Sequence, residues 1–163
     1  MDTAPTPDAT TRQLLLEAID LAVRNAAVDG GPFGAVLVTA DGRRFRGVNR
    51  VTADNDPTAH AEIAAIRTAC REQGSFDLTG AALYSSCEPC PMCLSASLWA
   101  RLAVVHFAAD RYDAAAGGFD DAAFYDYFTT HEPERSLPVH QVRLQERAAP
   151  FAAWAANPER TEY

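Results

Sequence analysis

The stretch AALYSSCEPCPMC, residues 81–93, runs from a short apolar segment straight into a helix start. Residues 81–85 have the length and apolar character of a buried strand, and the helix is predicted to begin inside the cysteine-rich part and to end near Arg101. A second apolar run, residues 102–107, follows as another buried strand. The order strand, helix, strand predicts parallel strands covered by helices, which is an α/β arrangement.

The rest of the chain adds elements on both sides of this unit. An Asp-Gly pair at Asp41 and Gly42 predicts a hairpin, and Asp56 followed by Pro57 predicts an N-cap and first helical residue. We predict a three-layer α/β/α sandwich with a mixed five-stranded sheet, a flexible N-terminus at residues 1–10 and a single domain at residues 11–163. The further predicted helices cover residues 11–27, 56–73, 120–128 and 150–156, and the further strands cover residues 35–38, 44–48 and 139–144.

Composition limits the classes of partner. The 163 residues carry 22 acidic and 14 basic side chains, a net charge of -8, so the surface repels a phosphate backbone on average. We expect a small uncharged partner and no nucleic acid. The N-terminal segment has no basic and apolar signal pattern, and no apolar run is long enough to cross a membrane, so we expect a cytoplasmic protein. Thiols stay reduced there, which favours a metal, redox chemistry or a nucleophile over disulfides.

Three cysteines share one helix start. Residues before proline avoid the helical region, so Glu88 and Cys90 are predicted to be extended, while Pro91 suits the first helical position. Cys90 then occupies the N-cap and Cys93 the third helical position, where their side chains approach each other and the helix dipole lowers the thiol pKa. We predict these two as a metal pair. Cys87 is expected to point elsewhere, with a CxxC pairing to Cys90 as the alternative.

A zinc ion needs further donors, and His60 is the upstream candidate. One histidine and two cysteines leave a fourth tetrahedral position open for water, as in catalytic zinc sites. Glu62 is two residues from His60 and does not share its helix face, so we expect it to handle protons instead of binding the ion. The alternatives are a packed His60 and a redox pair of Cys90 and Cys93, which leaves the motif His60-Ala61-Glu62 unexplained.

His60-Ala61-Glu62 followed by Pro89-Cys90-Pro91-Met92-Cys93 resembles the signature of the zinc-dependent cytidine-deaminase-like superfamily. Flanking blocks resemble the small bacterial guanine deaminases, and they read GGPFGAV at 30–36, NDPTAHAE at 55–62, SCEPCPMC at 86–93, AGGFDD at 116–121 and EY at 162–163. The resemblance implies hydrolytic deamination of guanine to xanthine and ammonia, with Zn²⁺ as cofactor. It also implies a homodimer in which a C-terminal segment, about residues 119–163, can be exchanged between subunits.

Individual roles follow from the same resemblance. It implies that the zinc ligands are His60, Cys90 and Cys93, that Glu62 is the proton shuttle and Asp121 a second acid, and that the substrate contacts are Phe33, Asn49, Ala61, Trp99 and Tyr163. In an exchanged dimer, Asp121, Trp99 or Tyr163 would serve the neighbouring subunit's site.

Plainer readings of these residues stay open. Asn49 can stabilise a turn, and Phe33 and Trp99 can pack in a core. Asp121 can cap a helix, and Asp120 is the alternative to it both as the cap and as the second acid. Tyr163 can be a disordered terminus.

Other functions stay open as well. One is deamination of guanosine or another amino-heterocycle. A tRNA adenosine deaminase would share the zinc motif but must bind a polyanion, which the acidic composition disfavours. A non-enzymatic zinc or redox module would have a closed or absent metal site and no need for Glu62.

Overall fold

The computed structural model describes residues 7–163. Its elements, in chain order, are α1 (Ala9–Ala26), β1 (Gly34–Val38), β2 (Arg44–Val48), α2 (Val51–Asp54), α3 (Ala61–Gln73), β3 (Ala82–Cys87), α4 (Pro91–Trp99), β4 (Val104–Ala109), α5 (Arg111–Ala116), α6 (Asp121–Thr129), a 3-10 turn (Glu132–Glu134) and α7 (Ala149–Ala156). The chain forms two compact units, the first ending at Tyr125 and the second covering Asp126–Tyr163.

The sheet is mixed and has the strand order β2-β1-β3-β4. Strand β1 runs antiparallel to both β2 and β3, whereas β3 and β4 are parallel, as the strand-helix-strand pattern predicts. The predicted count of five strands is wrong, because residues 139–144 form no strand and Val139, Val142 and Leu144 are 74%, 75% and 60% exposed. A pattern of β-branched residues favours a strand only where a partner edge and a core surface are available.

Helices cover both faces of this sheet. Leu14 and Ala18 of α1 pack against Val36 and Tyr84 on one face. On the other face, the buried alanines and Ile66 of α3 pack against Leu37, Leu83 and neighbouring residues, and Ala96 of α4 joins them. The side chains of a strand alternate between the two faces, which explains why Val36 and Leu37 belong to different clusters. The layered α/β architecture is therefore as predicted, apart from the strand count.

Helix α1 begins two residues earlier than predicted. The Asp8 carboxylate accepts hydrogen bonds from the backbone N–H groups of Thr10 and Thr11, at 2.9 and 3.0 Å, and so caps the helix. Residues 1–6 of the predicted flexible N-terminus lie outside the described residues. Among residues 7–163, none of the helices has both the length and the apolar character required to cross a membrane.

Helix α3 starts later than predicted. Asp56 is not its N-cap: the Asp56 carboxylate accepts hydrogen bonds from the N–H and hydroxyl of Thr58, at 2.8 and 2.7 Å, and so closes a local turn. The preceding helix α2 ends at Asp54, and its C-cap residue Asn55 is in the left-handed conformation, with φ 51°. The N-cap of α3 is His60. This shift places the histidine at the same position on α3 that Cys90 has on α4.

Candidate metal centre

Two helix starts bring three donor side chains together. His60 is the N-cap of α3, Cys90 is the N-cap of α4, and Cys93 lies in the first turn of α4. Their ligand atoms all lie within 4.8 Å of one another. The Nδ1 atom of His60 is 3.7 Å from the Cys90 sulfur and 3.5 Å from the Cys93 sulfur.

These distances fit a tetrahedral zinc ion. Zinc bonds to nitrogen and sulfur of about 2.0–2.3 Å place the two kinds of donor about 3.6 Å apart at a tetrahedral angle. The measured separations of 3.5 and 3.7 Å match this value without rearrangement of either helix. We therefore conclude that the donor set fits zinc in both chemistry and spacing.

The electrostatics of the cysteine pair also suit a cation. The Cys93 thiol donates to the Cys90 sulfur, and this hydrogen bond lowers the pKa of Cys90 to about 4 while it raises the pKa of Cys93. The hydrogen bond with Cys90 likewise raises the pKa of His60. The pair thus holds a thiolate beside a thiol, and a bound metal ion displaces the remaining proton.

A buried carboxyl group lies beside the donors without belonging to them. Glu62, in the first turn of α3, is 6% exposed, and its Oε1 accepts a hydrogen bond of 3.3 Å from the Ser85 hydroxyl. Burial raises the pKa of Glu62. A raised pKa makes the protonated form of a carboxyl more accessible, as the transfer of protons requires. Sequence reasoning missed Ser85, whose only signal was its place as the last residue of the predicted strand 81–85.

A second acid approaches from helix α6. Asp121 is the first residue of α6 and is half-buried, whereas its neighbour Asp120 is exposed. Burial raises the pKa of Asp121, the negative charge of Cys90 raises it further, and His60 lowers it. Asp121 therefore lies in the electrostatic field of the donor group, and this favours it over Asp120 as the predicted second acid.

Asn49 combines a turn contact with an available donor. Its Oδ1 accepts a hydrogen bond of 3.2 Å from the backbone N–H of Val51, which is a turn-stabilising contact. Its backbone N–H donates to the Phe33 carbonyl at 3.1 Å, and its own carbonyl accepts from the Asn25 side chain at 2.7 Å. Within residues 7–163 its side-chain nitrogen makes no hydrogen bond, so this N–H group can meet a ligand.

The remaining predicted contacts occupy different surroundings. The Phe33 ring meets Phe119 edge-on, with ring centroids 4.8 Å apart, and Ala61 opens α3, where the first N–H groups have no intrahelical acceptor. Trp99 is 61% exposed at the last turn of α4, about 12 Å along the helix from Pro91. Tyr163 belongs to the second unit, where its ring packs edge-on to Trp154 at 6.1 Å.

Cys87 lies outside the donor group. Its thiol points to the Asp110 carbonyl at 3.7 Å, and burial raises its pKa to about 12. The thiol is therefore protonated at neutral pH, and among the described residues the three-donor cluster forms without it. The alternative pairing of Cys87 with Cys90 finds no support in this geometry.

Known proteins resemble this chain in sequence and in fold. Residues 9–109 match the family model described as the cytidine and deoxycytidylate deaminase zinc-binding region. The chain is 48% identical to the guanine deaminase of Bacillus subtilis (strain 168) over 151 residues, which is 91% of this chain and 96% of that protein. An X-ray structure of the Bacillus subtilis guanine deaminase superposes with a TM-score of 0.88 at 47% identity, covering 93% of this chain and 98% of the other.

A more distant relative has a different activity. The tRNA-specific adenosine deaminase of Haemophilus influenzae is 35% identical over 153 residues, covering 93% of this chain and 88% of that protein. The chain therefore belongs to the cytidine and deoxycytidylate deaminase zinc-binding family and is a zinc-dependent hydrolase.

Proposed function

We propose that the chain hydrolyses guanine to xanthine and ammonia. The observation that carries this proposal is the group formed by His60, Cys90 and Cys93, with the Glu62 carboxyl buried beside it and outside the donor set. Three protein donors leave a tetrahedral ion one open position, and an unligated carboxyl next to that position can move protons. The similarity to a guanine deaminase along nearly the whole chain supports guanine as the amine that is hydrolysed.

Zinc held by His60, Cys90 and Cys93 would act as a Lewis acid and would lower the pKa of a water molecule from 15.7 to about 7. Glu62 accepts a proton from that water and delivers it to a ring nitrogen of the base. The amino-bearing carbon then becomes more electrophilic, and the water oxygen adds to it. The Ser85 hydroxyl holds the carboxyl in place during both transfers, because it donates to Oε1.

Departure of the amine needs a second proton transfer. The tetrahedral carbon can release ammonia only when its nitrogen is protonated, and the proton comes from Glu62 or from Asp121. Asp121 is suited to this role because burial and the nearby Cys90 charge raise its pKa, so that its protonated form is accessible closer to neutral pH.

Residues directly before β1, directly after β2 and at the start of α3 recognise the base in this proposal. The side-chain nitrogen of Asn49 donates to the purine edge, and the unpaired N–H at the start of α3, at Ala61, contributes a second donor. Phe33 provides an apolar ring for the face of the base, and Phe119 supports it edge-on.

The assay that tests this function measures ammonia release from guanine, guanosine, adenine, adenosine, cytosine and cytidine, with zinc content determined on the same preparation. We expect turnover of guanine and a zinc content near one per chain. Turnover of another amine alone would keep the chemistry and remove guanine as the substrate. A tRNA substrate belongs in the same series because of the Haemophilus influenzae relative, although a net charge of -8 opposes binding of a polyanion.

We also propose a homodimer, located in the cytoplasm, in which a C-terminal segment, about residues 119–163, is exchanged. Helix α7 carries Phe151 and Trp154 at 75% and 42% exposure, and Leu98 and Trp99 of α4 are 69% and 61% exposed. Exposed apolar clusters of this kind mark surfaces that other protein covers. In such a dimer, Trp99 and Tyr163 would contact the substrate of the neighbouring subunit. The four free cysteines agree with a reducing compartment.

A further inference from the structure

A partly buried ion pair lies against the peptide that leads into helix α4. Arg111, the first residue of α5, makes three hydrogen bonds to the Glu88 carboxylate: its Nε at 3.0 Å, its Nη2 at 2.5 Å and its backbone N–H at 3.1 Å. The two side chains are 27% and 15% exposed. Paired, charge-assisted bonds in a shielded setting hold geometry much more firmly than an exposed ion pair does.

Tyr125 joins the same group from helix α6. The Arg111 guanidinium lies 3.3 Å from the centre of the Tyr125 ring, and the Tyr125 hydroxyl donates to the Pro89 carbonyl at 2.6 Å. The Pro89 carbonyl belongs to the peptide unit whose nitrogen is that of Cys90. Tyr125 therefore fixes the orientation of the peptide from which the Cys90 ligand projects.

The same tyrosine also fixes the helix that carries the second acid. Tyr125 follows Asp121 by four residues on α6, and residues at this spacing share one face of a helix. A helix anchored at Tyr125 therefore presents Asp121 on the side that faces Pro89 and Cys90. The raised pKa of Asp121, which Cys90 contributes to, agrees with this placement.

We propose that Glu88, Arg111 and Tyr125 form a positioning clamp that holds Asp121 at a constant distance from the metal donors. Arginine is required in the clamp because its planar guanidinium can bond a carboxylate with two N–H groups and stack on a ring at the same time, which lysine cannot do. None of the three clamp residues reacts with the substrate. This inference rests on the proposed function, since the clamp acts through Asp121.

Two substitutions separate the parts of the clamp. Arg111→Ala removes both the ion pair and the ring contact, and we expect kcat to fall about 10- to 100-fold, because displacements near 1 Å cost up to this much. Tyr125→Phe keeps the ring under the guanidinium and removes the bond to Pro89, so we expect a loss of about three- to tenfold. KM should change less than about threefold, because the clamp does not contact the base. Arg111→Lys should resemble Arg111→Ala.

The matched control is Arg24→Ala. It removes the same charge and an ion pair of 2.6 Å to Asp20, but both of those side chains are more than half exposed on α1. Tyr112→Phe is the corresponding control for the hydroxyl, since Tyr112 is 72% exposed on α5. We expect wild-type kinetics from both controls.

A double-mutant cycle decides between positioning and general destabilisation. If the clamp acts through Asp121, then Arg111→Ala should reduce kcat by less than about threefold in an Asp121→Asn background. Full additivity of the two losses overturns the proposal. Wild-type kcat in Asp121→Asn overturns it as well, because the clamp then has no acid to position.

A second readout does not depend on the substrate. The rate at which zinc passes to an excess of a chromogenic chelator should rise at least about fivefold in Arg111→Ala and stay unchanged in Arg24→Ala, because loosening of the Pro89–Cys90 peptide frees a ligand.

If the wild-type chain releases no ammonia from guanine, the proposed function fails, and the cycle is run on whichever amine the enzyme does deaminate. If it deaminates none, the zinc-release rates decide the clamp alone. An unchanged release rate in Arg111→Ala overturns the clamp in either case.

Discussion

At the scale of single residues, His60 and Cys90 occupy N-cap positions, but their side chains are not used for capping hydrogen bonds. His60 has φ -72° and ψ 158°, and Cys90 has φ -62° and ψ 167°, so both N-cap residues are extended. Neither side chain makes a capping hydrogen bond, unlike Asp8 at the start of α1. The imidazole and the thiolate are therefore left to bind an ion, and the helix N-termini favour the negative charge of the thiolate.

Glu62→Gln tests the proton shuttle. Glutamine keeps the volume of the side chain and can still accept the hydrogen bond from Ser85, but it cannot carry a proton at neutral pH. We expect kcat to fall about 10²- to 10⁴-fold with zinc content unchanged, measured by ammonia release and metal analysis. The control is Glu72→Gln, an exposed carboxylate on the same helix. A rate within about tenfold of wild type would remove Glu62 from this role.

Cysteine substitutions test the ligand set. Cys90→Ser should reduce the zinc content strongly, because a serine hydroxyl is a poor zinc ligand at neutral pH. Cys87→Ser should keep it, since the Cys87 thiol points to the Asp110 carbonyl and not to His60. Metal analysis of the two purified variants gives the comparison directly. Zinc loss in the Cys87 variant alone would reverse the assignment of the ligands.

At the scale of elements, close approach of backbones fixes the position of α3. A Cβ atom at Gly47 of β2 would lie 1.9 Å from the carbonyl oxygen of Ala61 and 2.7 Å from the nitrogen of Ala65, so the strand packs directly on the helix. Because Ala61 and Glu62 form the first turn of α3, this contact also sets the position of the Glu62 carboxyl, the proposed proton shuttle. The sequence showed a glycine in a strand but not what it would meet.

Gly47→Ala therefore disturbs both stability and activity. The added methyl group meets backbone atoms that cannot move aside, and we expect the free energy of unfolding in urea to fall by about 3 kcal/mol or more, at the upper end of overpacking effects. The comparison is Gly42→Ala, where the new methyl group has open space but a φ of 86° and should cost about 1 kcal/mol. Equal losses in the two variants would show that Gly47 lacks a packing role.

At the scale of the whole molecule, the proposed exchange has a consequence for mixed dimers. The described chain places Asp121 beside its own His60, and an exchanged segment would keep the same contacts but supply Asp121 from the neighbouring subunit. Glu62 and Asp121 of one site would then come from different chains. Activity would depend on which chain carries which substitution.

Complementation checks this arrangement. Glu62→Gln and Asp121→Asn chains, mixed in urea and refolded together, should regain about a quarter of the wild-type activity if segments are exchanged, because half of the dimers then contain one intact site. Each variant refolded alone provides the control. Activity of the mixture equal to the mean of the two variants would rule out exchange of Asp121. Light scattering on the same samples measures the oligomeric state.

Sequence alone determined the features that depend on local backbone chemistry. Proline after Cys90 set the start of α4, and this start put Cys90 and Cys93 in one turn. The sheet order around residues 81–109 followed equally well from apolar runs and helix periodicity. The predicted start of α3 was wrong because an aspartate before a proline is typical both of a helix N-cap and of a turn. Only the contact of Asp56 with Thr58 in the structure distinguishes the two.

Only the tertiary structure decided the contacts that join distant parts of the chain. The Ser85 hydroxyl meets Glu62 across 23 residues, Arg111 meets Glu88 across the same separation, and Tyr125 meets Pro89 across 36. It also decided that residues 139–144 form no strand. Periodicity and capping report the preferences of neighbouring residues, whereas partner edges and long-range hydrogen bonds depend on which surfaces the folded chain brings together.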